Sequence, residues 1–128
     1  MVKALFDTNI LIDYLNGVPE AELACDHYVD KAISVVTWME IMEGVSDDEA
    51  ERLLVEAFLG QFELLPINHQ LAMEASRVRE AHAMRLPDAV IQATANLSGR
   101  VLITRDTRDF VPGETVLVPY TLAGADPA

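Results

Sequence analysis

Apolar and polar positions along the chain alternate between short, solidly apolar runs and longer stretches with helical spacing. Val2 to Phe6 carries one charge, Lys3, and is too short for a helix, so it reads as a strand buried on both faces, as in a parallel sheet. Thr8 to Asn16 follows as a helix with Leu11, Tyr14 and Leu15 on one face, Asp13 left for the surface and Gly17 at its end. Pro19 then opens a short helix over Glu20 to Tyr28, to which Leu23 and Cys25 contribute apolar contacts. Lys31 to Val35 is the second strand, and Thr37 to Gly44 a helix with Trp38, Ile41, Met42 and Val45 at helical spacing.

The pattern continues to the end of the chain. Ser46-x-x-Glu49 fits a capping box opening a helix through Leu53, Leu54, Ala57 and Phe58 that Gly60 ends. Phe62 to Ile67 is the third strand, and Asn68 caps a longer helix with Leu71, Ala75, Val78 and His82 along one stripe. Another helix begins at Leu86 with Pro87 in its first position and Asp88 in its first turn, and stops at Gly99. Val101 to Ile103 and Thr115 to Val118 are the last strands, and Ala123 to Ala128 a frayed tail. The expectation is α/β: a single domain over residues 1–128, a three-layer α/β/α sandwich around a mostly parallel, five-stranded sheet. Right-handed crossovers carry strands two and three to one side of strand one and return strand four to its other side. Strands one and four then flank a switch point, where open sheets bind ligands.

Composition narrows the function classes. The hydrophobic share of 51% argues against a disordered chain. No signal peptide or membrane span is visible, which points to the cytoplasm. A lone cysteine, Cys25, excludes an internal disulfide, and His27, His69 and His82 match no zinc spacing. The net charge of -12 argues against binding nucleic acid by a broad basic surface.

Candidate chemistry sits where strands end. Asp7 follows the first strand, Glu40 the second, Asp88 opens the helix before the fourth, and Asp106 and Asp109 follow the fourth. Each has a structural account as well: Asp7 caps a helix, Glu40 closes a capping box with Thr37, Asp88 favours the helix dipole, and Asp106 and Asp109 make Asx turns. Carboxylates converging on one crevice repel unless a cation neutralises them, and oxygen ligands suit magnesium or manganese. Such ions activate water on a phosphodiester, so no protein nucleophile is needed. That agrees with a chain lacking GxxxxGK[ST] and GxGxxG loops.

At Phe6-Asp7-Thr8-Asn9-Ile10-Leu11-Ile12-Asp13, Ser34 to Glu40 with Gly44, Leu86 to Ala95, and Leu102 to Asp106 through Phe110, the chain resembles PIN-domain ribonucleases, in particular VapC-like toxins of toxin–antitoxin pairs. The resemblance implies metal-binding, catalytic acids at Asp7, Glu40, Asp88 and Asp106, with Asp109 an additional or substitute ligand, and polar support from Asn9 and Thr104. It also implies Mg2+ or Mn2+ as cofactor, RNA as substrate, a homodimer, and inhibition by a small VapB-like antitoxin. Two departures stand out: Gln92, where the family often has alanine, and the strongly acidic charge. The competing functions are a cation-binding regulatory domain without catalysis and a housekeeping RNA-processing nuclease. A haloacid-dehalogenase-like phosphotransferase requires a second Asp where this chain has Asn9.

Overall fold

The computed structural model describes residues 1–110 and 113–122. Among the described residues the elements run β1 (Lys3–Phe6), α1 (Thr8–Leu15), α2 (Pro19–His27), β2 (Asp30–Ser34), α3 (Val35–Glu43), α4 (Glu49–Leu59), β3 (Glu63–Leu65), α5 (His69–His82), α6 (Leu86–Ser98), β4 (Val101–Ile103) and β5 (Val116–Leu117). The strands form one sheet in the order β3-β2-β1-β4-β5, with every neighbouring pair parallel. The order reverses between β1 and β4, where the crossovers expected from the sequence put the switch point.

Successive strand residues point to opposite faces, so two apolar faces demand two helical layers. Ala4, Phe6, Ile33 and Ile103 pack with Ile10, Leu11, Ile41, Val55 and Phe58 from α1, α3 and α4. Leu5, Ala32 and Leu102 pack with Val78, Ala89, Ile91 and Ala95 from α5 and α6. Phe6 is fully buried and meets Tyr28 and Phe62 edge-on at centroid distances of 5.8 and 5.6 Å.

Several local expectations shift. Helix α3 starts at Val35 because the Ser34 side chain accepts from the Val36 amide at 3.1 Å; Thr37 is therefore no cap and Glu40 lies in the second turn. Asp48, not Ser46, caps α4, accepting from the Ala50 and Glu51 amides at 2.9 and 3.4 Å, while the Ser46 hydroxyl donates to the Glu51 carboxylate. The buried stripe of α4 is Val55, Phe58 and Leu59; Leu53 and Leu54 face outward. In α2 the small residues Ala21, Ala24 and Cys25 are buried and Leu23 is exposed. Burial pushes the Cys25 thiol up to about 11, so it stays protonated as a core residue. Leu15 and His82 are exposed, Pro87 is the second residue of α6 behind the Arg85 cap, and β3 and β5 are shorter than expected. The segment Ala123 to Ala128 lies outside the described residues.

At the ends of the strands opposite the crevice, Arg100 ties the start of β4 to β1, β2 and β3. Its Nη1 donates to the Ala4 carbonyl at 3.2 Å and to Asp30 at 2.8 Å, and its Nη2 donates to Glu63 at 2.8 Å. The arginine side chain is only 6% exposed, whereas both acids reach solvent. Arg100→Ala is expected to cost about 2 kcal/mol, the range of a hydrogen bond to a charged partner, because the acids it leaves can rehydrate. Urea denaturation reads that loss; a change under 0.5 kcal/mol, the usual ceiling for neutral surface substitutions, contradicts it.

Candidate metal centre

Strand pairing assembles the centre. The Asp7 amide donates to the Ile103 carbonyl at 2.9 Å, which sets Asp7 beside Thr104 at the ends of β1 and β4. Asp7 accepts from the Thr8 amide at 2.8 Å on one oxygen, and from the Thr104 hydroxyl at 2.7 Å and Asn9 Nδ2 at 3.4 Å on the other. Asp7 therefore does cap α1 with one oxygen, while the other is tied to β4 through Thr104. Asn9 accepts from the Arg105 amide at 3.3 Å, and Thr104 Oγ1 from the Asp106 amide at 3.0 Å, so both side chains fix the loop after β4.

That loop is an Asx-type turn. Asp106 accepts from the Arg108 and Asp109 amides at 2.9 and 3.1 Å on one oxygen, which realises the structural account of this acid without consuming its second oxygen. Asp88 arrives from the first turn of α6, whose buried Ala89 and Ile91 press the helix onto the sheet. Asp88, Asp106 and Asp109 each offer a carboxylate oxygen within 4.8 Å of the other two. Asp7 adjoins them. Burial first, and then the charges of Asp88 and Asp106, push its carboxyl up to about 6 despite the hydrogen bonds from Thr104 and Thr8. Burial also raises Asp88, with Arg85 opposing and Asp109 adding to the rise. Carboxylates this close repel one another unless a cation lies among them, and their oxygen donors fit a hard divalent cation.

Glu40 stands apart. It accepts from the Thr8 hydroxyl at 2.7 Å, and that hydroxyl lies 3.1 Å from the Thr37 hydroxyl. The chain thus brings Asp7, Asp88, Asp106 and Asp109 together, and links Glu40 to Asp7 through one intervening residue.

Two features escaped the sequence reading. Arg85 places Nε and Nη2 each 3.2 Å from Asp88 Oδ2, with Nη2 3.9 Å from Asp109; the i,i+3 spacing to Asp88 was the available signal. Asp13, expected at the surface, is 5% exposed. It accepts both prongs of Arg105 at 2.7 and 3.1 Å and the Tyr120 hydroxyl at 2.8 Å. No sequence pattern signals this clamp, since its members lie 92 and 107 residues apart.

Fold and site together define an open parallel α/β protein with an acid-lined crevice at its switch point. The PIN domain family model matches residues 4–111, and the chain belongs to the PIN domain family. Ribonuclease VapC1 of Methanocaldococcus jannaschii is 29% identical over 113 residues, covering 84% of this chain and 79% of that protein. A chain of a toxin–antitoxin complex from Klebsiella pneumoniae superposes with a TM-score of 0.87 at 39% identity, over 94% of this chain and 100% of that one. A chain of the DNA-bound VapBC complex from Salmonella typhimurium gives 0.76 at 25% identity, over 91% and 98%. Within its family the chain is VapC-like. Among the described residues no helix is long and apolar enough to cross a membrane.

Proposed function

We infer that this protein is a divalent-metal-dependent endoribonuclease and the toxin of a toxin–antitoxin pair. The observation that carries the reading is the gathering of Asp88, Asp106 and Asp109 beside buried Asp7 within a PIN fold. Asp7, Asp88, Asp106 and Asp109 would hold Mg2+, with Mn2+ as the close substitute, and such an ion supplies an activated water and a Lewis acid for the phosphodiester. The chain's own residues do the positioning. Thr104 and Asn9 orient Asp7 and the loop bearing Asp106, the supporting role by which outer partners fix ligand geometry. Glu40, held by the Thr8 hydroxyl next to Asp7, would join the aspartates as a metal-binding acid from the rim. Arg85 brings a guanidinium to the mouth, suited to an incoming RNA phosphate.

A ribonuclease relative and likeness to chains of a toxin–antitoxin complex and a VapBC complex favour this reading over a regulatory cation-binding domain or a housekeeping nuclease. A groove of about 470 Å³ supports an antitoxin partner. Its lining includes exposed Ile12, Leu15 and Leu54, with Glu40 and Glu51 on its border. It suits an amphipathic helix with basic residues at one end. A homodimer and a cytoplasmic location complete the proposal.

Manganese titrations of RNA cleavage separate the acids. Asp106→Asn is expected to need about tenfold more manganese, because a directly bound carboxylate contributes charge and geometry, whereas Asp109→Asn mainly lowers turnover. If excess metal rescues Asp109→Asn while Asp106→Asn keeps wild-type metal affinity, the two roles are reversed. Absence of cleavage at any metal concentration returns the protein to cation binding alone. Cleavage with no inhibitor encoded beside the gene makes it a housekeeping nuclease.

A further inference from the structure

Gln92, the residue that departs from the family pattern, lines a cavity of about 300 Å³ next to the metal centre. Arg77 and His82 from α5, Gln92 and Asn96 from α6, and Thr115 line it, and Asp109 belongs to both the cavity and the acid cluster. Beneath the polar groups lie buried Val78, Met84 and Phe110.

The orientation of Gln92 is set by a chain of hydrogen bonds. Arg77 grips Glu74 with two bonds of 2.8 Å, Asn96 Nδ2 donates to Glu74 at 2.9 Å, and Gln92 Nε2 donates to Asn96 Oδ1 at 2.9 Å. The bonds from Arg77 and Asn96 hold the Glu74 carboxyl down to about 2, so near neutral pH it only accepts. An acceptor at that end forces the Asn96 amide to turn its nitrogen to Glu74 and its oxygen to Gln92. Gln92 must then spend one N–H on Asn96, which leaves its carbonyl oxygen and second N–H for a ligand. A side-chain amide of this kind pairs with a base edge that has an amino donor beside a ring acceptor.

We propose that this cavity is the subsite for a nucleobase flanking the scissile phosphate, and that Gln92 reads its Watson–Crick edge in favour of adenine or cytosine. The proposal rests on the ribonuclease reading for its place in the reaction. Asp109 joins the two sites, so a nucleotide whose phosphate meets the metal centre has its base beside the cavity. His82 at the rim supplies a stacking face, the usual partner of an unstacked RNA base.

Nucleosides test the subsite without a phosphate and without metal. In EDTA, adenosine and cytidine are expected to shift the side-chain amide signals of Gln92 and Asn96 and the ring signals of His82 in the NMR spectrum of the whole protein. Uridine and guanosine should bind more weakly, and Gln92→Ala should weaken adenosine binding about tenfold, the scale of one base-reading contact. Failure of all four nucleosides to move these signals overturns the subsite, as does unchanged binding in Gln92→Ala. With manganese and RNA oligonucleotides varied beside the cut, Gln92→Ala should flatten the base preference; an unchanged preference in an active variant also overturns it. Nucleoside binding that depends on Gln92, in a wild-type protein that cuts no RNA, keeps the subsite and removes the ribonuclease reading.

Discussion

Asp7→Asn and Asp88→Asn are expected to stay folded and to lose RNA cleavage and growth inhibition, the loss in cleavage being on the order of 10³-fold, because several kcal/mol of transition-state stabilisation would vanish with a metal ligand. The same change makes the metal-free protein more stable. Asp7 has a carboxyl pushed up to about 6 from the ordinary 3.8, chiefly by burial. The native state then holds its proton more tightly than the unfolded chain does, so stability falls as pH rises from about 4 to about 6 and remains lowered above that. An upward shift of this size is worth on the order of 3 kcal/mol at neutral pH. Asparagine removes the charge but fits less well between the Thr104 hydroxyl and Asn9 Nδ2, so a net gain of about 1 kcal/mol is expected in EDTA at pH 7. Thermal melts at pH 4.5 and 7 check the sign: wild type gains stability at the lower pH through this group and Asp7→Asn does not. Full cleavage by a folded variant would falsify the site assignment.

The largest stability loss is expected at Asp13. Its side chain is 8% exposed and that of Arg105 13% exposed, so Asp13→Ala takes the carboxylate that holds both prongs of a largely buried guanidinium. Breaking a buried pair on one side costs about 3 to 5 kcal/mol. Arg105 lies between Thr104 and Asp106, and its backbone amide is fixed by Asn9, so the loss is expected to reach the candidate metal centre too. Weaker manganese binding by calorimetry should accompany the lower urea midpoint. Asp13→Leu combined with Arg105→Met should recover much of the folding stability, because a buried pair replaced whole by apolar groups is often neutral. A cost under about 1 kcal/mol for Asp13→Ala, the value of an exposed pair, would show that water reaches the clamp.

The reading of the sequence located the acids because strand exits can be recognised locally: Phe6 gives way to Asp7, and Ile103 to Thr104-Arg105-Asp106, each after three apolar residues in a row. Sheet order followed from crossover handedness, which needs no side-chain detail. Helix faces were less legible. In α4 the candidates Leu53 and Leu54 differ from the buried Val55, Phe58 and Leu59 only by a rotation about the helix axis, and the groove beside α1 takes Leu54 while the core takes the others. Capping assignments failed where two acceptors competed, as at Ser34 and Thr37 or Ser46 and Asp48, because the winner depends on where the preceding strand or turn lets go. The Asp13 clamp was invisible because its charge is balanced by residues that only the fold brings near.

Strand β5 is two residues long and sits at the sheet edge, held to β4 by backbone bonds that include Leu102 N to Thr115 O at 2.9 Å and Thr104 N to Leu117 O at 3.1 Å. Arg100, at the opposite ends of the strands, ties the start of β4 to β1, β2 and β3, and β5 is not among them. Opening is therefore cheapest at the end of the molecule that carries Asp106 and Asp109, and amide exchange at Leu102 and Thr104 counts how often it happens. A cation, or an inhibitor seated in the crevice, slows that exchange by holding the same loop. Occupancy of the crevice is therefore expected to set how readily a protease cuts the loop of Asp106 and Asp109, the protein without cation being cut faster.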